Sequence, residues 1–176
     1  MKFVQGLGLS IFLCSVSLVL AGGVGIPKRE DMPKYLKMLQ SAASAADRAK
    51  AADMLGKRGG INANDVENAI EPLKKALEKD KEATVRAASA RALGNIHPEA
   101  EGTVSLLIDR LKNDSSKDVK MASVVALGQF GPDAKDALVP LREMAAKFDT
   151  KAAKKSDEAQ TIQAAINAIT MKKKKN

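Results

Sequence analysis

Three leucines set the frame for this chain. Leu73, Leu107 and Leu141 stand 34 residues apart, and their neighbours keep the step: Val66/Ala100/Ala134, Ala69/Thr103/Ala137 and Ile70/Val104/Leu138. A fixed period of this length marks a stacked repeat, in which copies of one unit cover each other's apolar faces. The period constrains how units pack. It says little about what the stack holds.

Composition selects helices as the repeating unit. Hydrophobic residues make up 45% of the chain, but aromatics only 3%. Alanine supplies much of the remainder, and it has the highest helix propensity. Val66, Ala69, Ile70, Leu73 and Leu77 follow the i, i+3, i+4, i+7 pattern of an amphipathic helix, as do Val104, Leu107, Ile108 and Leu111. These are the second helices of three pairs. Each first helix carries an apolar residue followed by glycine: Leu55-Gly56, Leu93-Gly94 and Leu127-Gly128. The glycines are predicted to cap those helices at their C-termini. A cation precedes each glycine by eight residues: Arg48, Arg86 and Lys120. Ser115 or Ser116 is predicted to cap the N-terminus of the third first-helix. Pro72 and Pro140 share one repeat position and are predicted to bend their helices. The first repeat has a longer turn, Lys57 to Asn64.

The fold expected is all-α: an α-solenoid of about three helical-hairpin repeats with flanking capping helices, spanning 33–171. A leading helix is expected at about 33–41. A last amphipathic helix carries Ile162, Ala165, Ile166 and Ile169. Residues 22–32 read as a flexible N-terminus and 172–176 as a lysine-rich tail.

Residues 1–21 read as a signal peptide: Lys2, then an apolar stretch from Phe3 to Leu20, then Ala21 before the cleavage point. Gly23 offers a second cleavage point, and an uncleaved anchor is the competing reading. Export to the periplasm or the extracellular space follows. Cys14 is the only cysteine, so the mature chain has no disulfide, thiolate nucleophile or cysteine zinc site. The net charge of +8 falls to +7 without Lys2 and to +3 without Lys172–Lys175 as well, so over half of the excess left after Lys2 sits in the tail. That tail offers contact with an anionic membrane surface, weakened by salt and by export away from the cytoplasmic leaflet.

Val85-Arg86-Ala87-Ala88-Ser89-Ala90-Arg91-Ala92-Leu93-Gly94 resembles the first helix of a HEAT-like repeat, of the short type found in phycobilisome lyases. Val119-Lys120-Met121-Ala122 through Ala126-Leu127-Gly128 matches it, with Lys for the usual Arg. Pro72-Leu73 and Pro140-Leu141 match the second helix. The resemblance covers about 45–171 and is weakest in the first repeat, where Asp47 stands in place of Val85 and Val119. It implies that the second helices line a concave face, and it fixes no activity.

Candidate binding residues are the outward positions of the second helices: Glu71, Lys74, Lys75, Asp109, Arg142 and Glu143. Their signs alternate. A groove tracking phosphates needs like positive charge, so this face fits a protein or peptide and not nucleic acid. No cofactor is expected. One histidine, His97, cannot build a usual metal site without cysteines. The di-iron and DNA-repair enzymes that share the repeat fold resemble one another through His-Glu pairs or Trp-lined grooves, which this chain lacks. The sequence therefore reads as an exported, monomeric, non-enzymatic scaffold that binds a protein or peptide. A lyase-type or chromophore-handling enzyme is the alternative. A surface protein held by its basic tail is the weaker one.

Overall fold

A computed structural model describes residues 25–148, 150 and 153–171. The predicted signal peptide and the predicted lysine-rich tail lie outside the described residues. Eight α-helices follow in order: α1 (Met32–Ser41), α2 (Ala45–Gly59), α3 (Ile70–Lys79), α4 (Ala83–Ile96), α5 (Ala100–Asn113), α6 (Lys117–Phe130), α7 (Leu138–Ala145) and α8 (Asp157–Thr170). No strand occurs among the described residues. Ahead of α1, Arg29 pairs with Asp65 at 3.2 Å, and Met32 is buried.

The helices form two layers. α2, α4, α6 and α8 pack successively in one; α1, α3, α5 and α7 make up the other. The intimate pairs are α1–α2, α3–α4, α5–α6 and α7–α8. The natural hairpin therefore joins a second helix to the first helix that follows it. In this register the leading and closing helices are halves of complete pairs. Leu73, Leu107 and Leu141 of the second-helix layer are fully buried, as are Leu55, Leu93 and Leu127 of the first.

The two layers differ in spacing, and the glycines are the cause. Gly56, Gly94 and Gly128 lie inside α2, α4 and α6, not beyond their ends. They are not caps. A Cβ on Gly56 would stand 2.6 Å from the Cα of Ala92, and one on Gly94 2.8 Å from the Cα of Ala126. At Gly128 the nearest atoms belong to Ala165, at 3.1 Å. Each glycine thus admits the alanine two residues before the next helix's equivalent position. In α8 that position is Asn167, which is exposed; in α2 the alanine's place is taken by Met54, which is buried. α3, α5 and α7 touch only marginally.

The helix ends are closed by other residues. His97 caps α4 in the left-handed conformation, φ 53°, and Gly131 follows α6 with φ 51°. Ser116 is the N-cap residue of α6, as expected, but its hydroxyl makes no capping bond. Its amide instead donates to Asp114 Oδ1 at 2.8 Å.

Pro72 and Pro140 do not bend α-helices; they sit in the first turns of α3 and α7. A first-turn amide has no partner inside the helix, so proline costs little there. Upstream, Ala63–Ala69 and Gly131–Ala137 are 3-10 turns broken at Val66 and Ala134. α5 has Leu106 at the proline position and runs unbroken from Ala100.

Candidate partner-binding surface

The loose spacing of the second-helix layer opens clefts at the hairpin tips. One of about 860 Å3 lies between α1 and α3, and Glu71 and Lys75 line it. Another of about 310 Å3 lies between α5 and α7, and Glu143 lines it. Three of the six predicted residues therefore border clefts, though not the same one. Lys74 donates to Glu71 at 2.8 Å and points toward Gly102 of α5. Asp109 is held by Arg110 and by Asn113, whose amide donates at 2.7 Å. Those bonds draw its carboxyl below the ordinary range. Arg142 is exposed on α7. The six do not converge on one point, as befits a surface and not a reaction centre.

A ladder of arginines joins the hairpin tips. Arg48 on α2 donates to the carbonyls of Ala42 and Ala43 in its own tip, at 2.9 and 3.1 Å. Its fork then reaches the next tip, where Asp80 accepts two bonds at 2.7 and 2.9 Å. Arg86 on α4 repeats this. It donates to the carbonyls of Asp80 and Lys81, and to both oxygens of Asp114 at 2.8 and 2.9 Å. Each Asp also accepts an amide two residues on, from Glu82 or Ser116, which sets the turn into the next helix. Two parallel charge-assisted bonds per rung fix the angle between neighbouring hairpins as well as their distance.

The aspartates respond accordingly. The Arg48 hydrogen bonds hold the Asp80 carboxyl below the usual range, against a smaller push from burial. At Asp114 burial pushes upward most strongly. The Arg86 bonds, the Ser116 amide and the nearby arginine charges together outweigh it, and the carboxyl ends below its ordinary value.

The third rung is different. Lys120 stands at the arginine position, and its amine donates to the Lys112 carbonyl at 3.2 Å. Phe148 stands where Asp80 and Asp114 stood. The three cations are visible in sequence. Their partners were missed, although Asp80 and Asp114 share the 34-residue step with Arg86 and Lys120. The signal was present, but a carboxylate in a turn reads as solvated until its partner is known.

Elsewhere the chemistry is structural. His97 stacks on Phe130, ring centroids 4.5 Å apart. Among the described residues no group of His, Cys, Asp and Glu is placed to hold a metal. Nor is any helix among them long and apolar enough to cross a membrane.

The sequence profile for HEAT repeats matches residues 32–128 and, in a second register, 70–156. This chain belongs to the HEAT repeat family. The two matches run from α1 into the segment before α8 and together cover most of the sequence. No curated protein matches the chain. HEAT repeats in general are non-enzymatic scaffolds that mediate contacts between proteins.

Proposed function

We propose that this HEAT array is an exported, non-enzymatic scaffold that binds a protein or peptide partner through its second-helix layer. The observation that carries the siting is the pair of clefts, of about 860 and 310 Å3, at the hairpin tips of the second-helix layer, where apolar and charged side chains line the wall together and three of the six residues stand. The first-helix layer carries hollows as well, of about 560 Å3 beside Gly56, Gly94 and Gln129 and about 480 Å3 beside Ala87, Arg91 and Val125, but none of the six lines them. The alternating charges of Glu71, Lys74, Lys75, Asp109, Arg142 and Glu143 favour a partner with its own mixed surface over a polyanion. Export rests on residues 1–21 of the sequence.

Cross-linking in cells with mass spectrometry tests the scaffold itself, and N-terminal sequencing of the mature chain tests export. For the siting, Lys74→Glu with Arg142→Glu is expected to weaken capture of the cross-linked partner. Undiminished capture removes the second-helix layer from the proposal.

A further inference from the structure

The third rung, without a carboxylate among the described residues, lies in the cleft between α5 and α7. In the two earlier junctions an aspartate fills the arginine's fork across the hairpin tips. At this junction Lys120 lines the cleft, and the equivalent carboxylate position is occupied by Phe148. Lys112 and Lys147 stand beside it. Among the described residues, none of these three lysines has a carboxylate partner; only Lys117 does, pairing with Glu158 at 2.5 Å. Beneath them the cleft is apolar, with Met121, Pro140, Met144, Phe148 and Ile162. Methionine is unbranched and polarizable, so such a floor adapts to different apolar side chains.

Resting on the scaffold reading above, we propose that this cleft docks an acidic, amphipathic segment of the partner protein. Its apolar side chains enter the methionine-lined floor. One of its carboxylates takes the place beside Lys120 that Asp80 and Asp114 hold in the earlier rungs. The volume of about 310 Å3 suits side-chain anchors of a peptide and not a folded domain. The α1–α3 cleft lacks this opportunity, because Arg48 is already bound to Asp80 there. A basic segment would meet Lys112, Lys120 and Lys147 against Glu143, the one carboxylate of the lining that is unpaired among the described residues, so repulsion disfavours it.

Fluorescence anisotropy tests this with three labelled peptides at physiological salt. One places glutamates and leucines at helical spacing, a second replaces its glutamates by lysines, and a third is polyglutamate. The glutamate–leucine peptide is expected to bind alone. Lys120→Glu with Lys147→Glu should weaken it at least tenfold. Lys120→Arg should preserve or tighten it, and Lys50→Glu with Lys57→Glu, exposed on α2 and outside both clefts, should leave it within twofold. A methyl NMR titration of the unaltered protein gives a readout independent of variant folding, with shifts centred on Met121 and Met144. Equal binding by the lysine peptide or polyglutamate overturns the proposal, as do unchanged affinity in Lys120→Glu/Lys147→Glu or shifts centred elsewhere. If the peptide fails while cells yield a cross-linked partner, the docking site falls and the scaffold reading stands. If neither binds, both fall.

Discussion

Alanine at Gly56 or Gly94 is expected to destabilise the fold, whereas the same change at Gly102 is expected to stabilise it. In a helix, alanine is favoured over glycine by about 1 kcal/mol. Against that stands the space available. At Gly56 the new methyl would meet Ala92 Cα at 2.6 Å and its Cβ at 2.9 Å. At Gly94 it would meet Ala126 at 2.8 and 2.9 Å, besides the movable end of Gln129. Those alanine atoms cannot retreat without α4 or α6 moving as a body. Overpacking of this kind costs about 1–3 kcal/mol, and contact with backbone argues for the upper half. The net loss expected is about 1–2 kcal/mol. At Gly128 the contact is 3.1 Å, and α8 has no further helix among the described residues stacked behind it. A small shift of α8 relieves it, so gain and loss nearly cancel. At Gly102 the nearest atom is Lys74 Nζ at 3.9 Å. Propensity acts alone there, for a gain of about 0.5 kcal/mol, reduced from the full value because Gly102 lies in the first turn of α5. Urea titrations followed by far-UV circular dichroism resolve these differences, with Tm moving about 2–4 °C per kcal/mol at this size. If all four variants shift in one direction, or if Gly128→Ala is the most damaging, close approach is not what the glycines provide.

Asp114→Ala leaves the buried fork of Arg86 without its carboxylate, and should cost about 3 kcal/mol in a urea titration. Stability should also depend on acid. Asp80 and Asp114 lose their protons more readily folded than unfolded, so their contribution is complete above the ordinary carboxylate value of about 3.9. It is lost as pH falls through the lowered folded values. The urea midpoint should therefore be level from neutral pH to about 5 and then decline, less steeply in Asp114→Asn. Leu107→Ala removes a fully buried side chain from the central hairpins and should cost about 2–5 kcal/mol by thermal or urea melting.

The repeat register was legible because packing is periodic: the same leucine meets the same neighbours every 34 residues. The boundaries of α1 and the existence of α8 followed from apolar spacing. The hairpin register was not legible, since a chain alternating two helix types reads equally well starting from either. The glycines illustrate a second limit. Leu-Gly near a helix end fits a cap and a close approach alike, and only the alanine of the next helix separates the two. The ladder was half visible, as cations without partners. Lys120 shows why: its difference from Arg86 looks conservative in isolation, and becomes informative only beside Phe148.

The Gly-on-Ala contact also has an edge. A stack held by a self-complementary step has, in principle, two sticky ends, and copies could join head to tail into a fibre. Here the last helix offers Asn167 where a following helix would require glycine, and α2 carries Met54 where a preceding glycine would require alanine. Among the described residues, neither α2 nor α8 thus offers again the interlocking step that closes every internal junction, so the pattern that repeats within the array is not continued by the helices at its two ends.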